Sequence, residues 1–159
     1  MNITIISVGK IKENYLKKGI NEYLKRLNPY AKVNIVEVPD EATKENLTQV
    51  EIDHVLNKEA DRIMAKLKPG TAIVPLAIEG DLITSPDLAN QLNQYATYGK
   101  SHVTFIIGGS LGLSQSIKKK ADRNISFGRI TLPHQLMRLV LVEQIYRAFR
   151  IINGHAYHK

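Results

Sequence analysis

Apolar positions along the chain follow two alternating rhythms. Asn2–Val8 (NITIISV) is a short β-branched run of the kind that forms a buried strand. Leu16, Ile20, Tyr23, Leu24 and Leu27 then recur at helical spacing, and Asn28-Pro29 stops that helix. Lys32–Val38 (KVNIVEV) alternates as a strand does, and Pro39-Asp40 breaks it. Thr48-x-x-Glu51 has the form of a capping box, in which hydroxyl and carboxylate each satisfy a backbone N–H left free at a helix start. Behind it, Ile52, Val55, Leu56, Ile63, Met64 and Leu67 form one apolar stripe, closed by Pro69-Gly70.

Thr71–Ile78 (TAIVPLAI) reads as a buried strand containing Pro75, where the missing ladder N–H predicts a bend or an edge position. Ser85-Pro86 reads as an N-cap with proline at the first helical position. That helix runs to about Tyr98, with Gly99 as the left-handed residue after it. His102–Ile107 (HVTFII) is another buried strand, emptying into Gly108-Gly109-Ser110-Leu111-Gly112. Ser114–Ala121 is a short basic helix, Asn124–Phe127 a last short strand and Gly128–Leu132 a loop. Pro133 opens a long helix that closes at Asn153-Gly154. The order β-α-β-α-β-α-β-α-β-α predicts an α/β fold, a mainly parallel sheet with helices on both faces, in one domain over residues 1–159.

Composition narrows the chemistry. A chain of 159 residues buries enough surface to fold without a metal or a disulfide, and none is expected. The absence of cysteine excludes a disulfide scaffold, a cysteine-ligated zinc site, an iron–sulfur cluster and a thiol nucleophile. No stretch approaches the roughly 18 uncharged apolar residues of a membrane span. The most apolar region, Leu132–Ile152, is broken by Arg138, Glu143, Arg147 and Arg150. Met1–Gly9 is apolar but short and lacks the basic flank of a signal segment. A cytoplasmic protein with no membrane partner is expected.

The net charge is +7, and it is segregated. Residues 1–32 carry seven Lys/Arg against two acids, residues 33–100 six against eleven, and residues 101–159 nine against two. Basic ends and an acidic middle predict that the ends meet a polyanion, nucleic acid foremost.

Candidate chemistry gathers where strands end. The glycines of Gly108–Gly112 follow a buried strand, where ligands of open α/β sheets bind and where bare backbone permits close approach. The loop is neither a P-loop nor G-x-G-x-x-G. Gly109-x-x-Gly112 matches a KH-type loop, so a non-enzymatic RNA-binding factor stands as the alternative to an enzyme. A nucleotide-binding α/β enzyme with a small-molecule substrate is a third reading. Glu79, at another strand end, offers a hydrogen-bond acceptor for a ribose or an amine, or serves as a plain turn residue. Ile125–Leu132 followed by Pro133-His134 sets a glycine and polar residues between apolar anchors, a composition suited to an adenosine-like ligand or to a bare connection. The closing helix is apolar nearly all round, so it is either a central core helix or buried on its second side by another subunit. The tail His155-Ala156-Tyr157-His158-Lys159 adds titratable and stacking groups, or frays.

Taken together, Asn2–Gly9, Phe105–Ser114, Thr131-Leu132-Pro133-His134 and His155-Ala156-Tyr157-His158 resemble, in this order, the SPOUT-class RNA methyltransferases. The resemblance covers essentially the whole chain. It implies a C-terminal trefoil knot and a homodimer. It implies S-adenosyl-L-methionine as cofactor, bound by Leu76, Gly108 and the run Phe127, Gly128, Arg129, Ile130, Thr131 and Leu132. The implied substrate is a pseudouridine of 23S rRNA, methylated at ring N3 within the assembled ribosome. Loss of the N3 proton needs a base or a nearby cation, and Arg147, Tyr157 and His158 are the candidate catalytic groups. Leu111 departs from relatives that carry an acid there, so no charged role is assigned to it.

Overall fold

The computed structural model describes residues 1–159. Strands β1 (Asn2–Val8), β2 (Lys32–Val38), β3 (Ala72–Leu82), β4 (His102–Ile107) and β5 (Ile125–Ser126) form one five-stranded sheet in the order β2-β1-β4-β3-β5. Every pairing in it is parallel. The helices between and after them are α1 (Asn14–Leu27), α2 (Gln49–Met64), α3 (Ser85–Thr97), α4 (Gln115–Lys120) and α5 (His134–Ile152).

The central strands are apolar on both faces because both faces are covered. Ile3, Ile5, Val103 and Phe105 pack with Leu16 and Ile20 of α1, Leu88 and Leu92 of α3, and Leu141 and Ile145 of α5. Ile6, Val8 and Ile106 point the other way, into Ala60 and Ile63 of α2 and Ile117 of α4.

Local chemistry sets the element ends. Thr48 and Glu51 form the expected capping box on α2. That helix ends at Met64, and Leu67 sits in a turn closed by its N–H on the Met64 carbonyl. The cap of α3 is Thr84, one residue before the expected Ser85, because Asp87 completes a reciprocal box with Thr84. Ser85 is thereby free to donate to Gln144 Oε1 at 2.6 Å.

Pro75 is neither at a sheet edge nor in a simple bend. It is the last β3 residue in register with β4, opposite Ile106. Beyond it β3 runs on to Leu82 beside β5 alone, and its register slips between Leu76 and Asp81. A residue without a donor ends the β3–β4 ladder, and the two strands part at their carboxyl ends.

Along α5, Leu141, Val142, Ile145, Tyr146, Ala148 and Phe149 are buried, whereas Leu136, Met137, Val140, Ile151 and Ile152 are only partly covered. Arg138 is buried too, its guanidinium donating to Glu37 at 2.7 Å and to the Gly9 carbonyl at 3.3 Å.

Candidate functional site

The β3–α3–β4 connection runs on one face of the sheet and β4–α4–β5 on the other. Loops that diverge in this way leave a crevice at the carboxyl edge. A cavity of about 650 Å³ occupies it, within the range of small-molecule sites. Its walls come from the end of β3 (Leu76–Glu79), the glycine loop after β4 (Gly108–Leu113), Ile125–Gly128, the loop Ile130–Leu132, and Pro133, His134 and Met137 at the start of α5.

The glycine loop is tight for internal reasons. A Cβ on Gly108 would stand 2.7 Å from the Gly112 carbonyl carbon, so the loop's own return needs the bare backbone. Gly112 has φ +87° and donates to the Gly109 carbonyl at 3.0 Å. Gly109 rests on Val8 and on the Glu59 carboxylate of α2. Glu59 is buried, accepts the Glu41 N–H at 2.9 Å, and has its carboxyl pushed up by burial. Sequence reading passed over Glu59; an acid one turn after Val55, inside an apolar stripe, was the only signal.

The loop after β5 is held at its root and open at its tip. Ser126 Oγ donates to the Ile78 carbonyl at 3.0 Å and accepts the Gly128 N–H at 3.2 Å. Beyond that root, no backbone N–H from Arg129 to Leu132 is hydrogen-bonded within the chain. Leu76, Gly108, Phe127, Gly128, Ile130, Thr131 and Leu132 all line the cavity. Arg129 turns away from it and donates to the carbonyls of Ile78 and, at 3.1 Å, Gly80.

Two charged groups also reach the walls. Glu79 pairs with Lys118 of α4, and that contact holds its carboxyl below the ordinary range. Lys118 was not singled out in the sequence, since nothing there separates it from Lys119 and Lys120. His134 lies against Gly9, where a Cβ would come 3.5 Å from its Nε2. Burial, with Arg138 nearby, lowers the imidazole pKa, so the ring is neutral at pH 7. No group of three His, Asp or Glu side chains is arranged to hold a metal ion.

Arg147, Tyr157 and His158 form a second cluster elsewhere. Arg147 donates to Glu143 at 2.6 Å, lies 4.7 Å from the Tyr157 ring centre, and donates to His158 Nδ1 at 3.2 Å. Burial and its hydrogen bond to Glu143 keep the Tyr157 hydroxyl protonated. The tail is docked, not frayed: His155 Nδ1 is 2.6 Å from Tyr30 Oη, and Arg150 donates to the Ala156 carbonyl at 2.8 Å. Within one chain this cluster does not meet the cavity. Helix rise puts about 15 Å between the cavity-lining Met137 and Arg147.

Known proteins resemble the chain throughout its length. A protein from Listeria welshimeri named ribosomal RNA large subunit methyltransferase H is 61% identical over 159 residues, all of both chains. Proteins of the same name from Limosilactobacillus fermentum and Bacillus pumilus are 60% and 55% identical over the same full lengths. The family model described as "Predicted SPOUT methyltransferase" matches residues 1–158. With a parallel α/β sheet, a carboxyl-edge cavity and a match over the whole chain, this protein belongs to the SPOUT methyltransferase family.

Proposed function

We propose that the chain transfers the methyl group of S-adenosyl-L-methionine to N3 of a pseudouridine in 23S rRNA of the assembled ribosome, acting as a homodimer. Membership of a methyltransferase family displaces the alternative of a non-enzymatic RNA-binding factor. The observation that carries the reading is the loop Ile130–Leu132, whose unpaired N–H groups belong to residues that line a cavity otherwise walled by Leu76, Gly108 and Phe127. Free backbone donors beside apolar walls suit a ligand with a flat purine and hydrogen-bonding edges.

S-adenosyl-L-methionine supplies an already activated methyl group on a sulfonium. The protein therefore has to hold the acceptor nitrogen in line with that group and to favour its deprotonated form. The backbone N–H groups of Ile130–Leu132, with Leu76 and Phe127, would hold the adenine of the cofactor. The trefoil threading of the C-terminal segment, implied by the family resemblance, is part of this reading.

The acceptor side calls for a cation. Arg147 keeps its charge at any working pH, and its neighbour Tyr157 is a hydrogen-bond donor with a protonated hydroxyl. A guanidinium and a phenol stabilise the anion that forms when N3 loses its proton. In a dimer with the two α5 helices antiparallel, the Arg147–Tyr157–His158 cluster of one chain comes to the cavity mouth of the other. The partly covered Leu136, Val140 and Ile151 on α5 supply apolar surface for that contact. The segregated positive charge suits the rRNA partner.

Tritiated-methyl transfer to ribosomes and to naked rRNA tests the activity; transfer to ribosomes alone is expected, and transfer to neither overturns it. Mixing an Arg147→Ala chain with a Gly108→Val chain tests the shared site. Each variant alone is inactive, and the mixed dimer regains one intact site. No recovery in a proven mixed dimer overturns the shared arrangement.

A further inference from the structure

Between β1 and α1 the chain turns at the carboxyl edge of the sheet, beside the cavity. Three contacts pin this turn. Gly9 donates to the Val38 carbonyl at 2.9 Å, its own carbonyl receives the buried Arg138, and Ile11 is only 7% exposed in the core. Gly9 also packs on His134, which lines the cavity. Because Ile11 points inward, Lys10 and Lys12 on either side of it point into solvent. Lys17 and Lys18 of α1 are exposed as well. None of these four lysines makes an ion pair, and Glu13 is the only acid among residues 10–18.

Among them stands Tyr15, 71% exposed. Tyr23 of α1, Tyr30 just after it, Tyr146 of α5 and Tyr157 of the tail pack in one aromatic cluster, but Tyr15 has no aromatic partner. The protein has thus held a cationic turn rigid next to its site, left its charges unpaired and set one bare aromatic ring within it.

We propose that Lys10, Lys12, Tyr15 and Lys18 form a docking surface for an unpaired segment of RNA flanking the target nucleotide. The lysines meet phosphates and Tyr15 stacks on a base. Phosphate contacts supply salt-dependent, sequence-independent affinity, and aromatic stacking is how single strands are gripped without base reading. A membrane surface would call for several apolar anchors on the same face, and the turn offers none outside the core. The assignment rests on rRNA as substrate, proposed above.

The test measures binding to assembled ribosomes across a salt series, with S-adenosyl-L-methionine affinity followed by calorimetry. In Lys10→Gln/Lys12→Gln, the slope of log affinity against log salt should flatten by about 1.4, the contribution of two phosphate contacts on a single strand. Tyr15→Ala should weaken binding about 5- to 150-fold with the slope unchanged. Lys66→Gln/Lys68→Gln, exposed before β3 at the opposite edge of the sheet, should match the parent. Cofactor affinity should hold in all of them. Parental affinity and slope in both surface variants overturns the docking surface while the rRNA reading stands. A parent that binds no ribosomes overturns the rRNA reading itself. Loss of cofactor affinity in Lys10→Gln/Lys12→Gln also overturns the proposal, placing the turn in the cofactor site.

Discussion

Tyr157 donates its hydroxyl proton to Glu143 Oε1 across 2.9 Å, and the same oxygen receives Arg147 Nη2 at 2.6 Å. One carboxylate on α5 therefore fixes both the terminal segment and the arginine beneath it. With Tyr157 edge-on to Tyr146 at 4.9 Å, the tail becomes a rigid extension of the helix.

A chain ending at Gly154 separates the two parts of the site. It loses Tyr157 and His158 but keeps the Arg147–Glu143 pair and every residue that lines the cavity. Calorimetry should find unchanged S-adenosyl-L-methionine affinity, while methyl transfer to ribosomes falls at least 100-fold, a loss of about 2.7 kcal/mol of transition-state stabilisation. Normal transfer by this chain would show the tail to be dispensable.

Gly108→Ala should disturb the loop before it disturbs any ligand. The new methyl meets the Gly112 backbone, which cannot yield as a side-chain tip would. Overpacking of this kind costs about 1–3 kcal/mol, a fall in Tm of roughly 3–10 °C for a domain of this size. Cofactor affinity should drop at least tenfold in the same variant. A variant with parental Tm and affinity would refute the tight return between Gly108 and Gly112.

Glu59 makes stability depend on pH in a defined direction. Burial raises its folded-state pKa above the ordinary 4.5, so the folded state holds its proton more tightly than the unfolded state does. Its contribution is full below the unfolded value and is lost as pH rises through the raised folded value. Glu59→Gln stays uncharged, and its amide oxygen can still accept the Glu41 N–H. The Tm of the variant relative to the parent should therefore climb as pH rises past the ordinary carboxyl value and level off once pH has passed the raised folded value. A difference that does not change with pH would contradict this.

Two substitutions on α5 should behave differently. Val140 is only partly covered, so Val140→Arg should fold and sediment as a monomer if the dimer packs along this face. Ile145 is wholly buried against α1, α3 and the sheet, so Ile145→Arg inserts an unpaired charge into the core and should not fold. A dimeric Val140→Arg protein would exclude this face as the interface.

Much of the fold was legible because its signals are local. The β-branched runs of β1 and β4 needed no partner to be recognised, since a strand covered on both faces is largely apolar along its length. The Thr48–Glu51 box and the left-handed Gly99 follow from the chemistry of a single turn. The glycine loop was likewise marked by a strand that empties into glycine, whereas the run Phe127–Leu132 was named through the family resemblance. Tertiary structure decided whatever depends on a distant neighbour. β3 continues past Ile78 only because β5 is there to pair with it, and Ser85, left out of the Thr84–Asp87 box, finds its partner in Gln144 on α5. Arg138 could not be assigned to core or surface until Glu37, 101 positions away, came within 2.7 Å. The separation of the Arg147 cluster from the cavity has the same cause: sequence order counts residues along α5, whereas helix rise turns that count into a distance no side chain crosses.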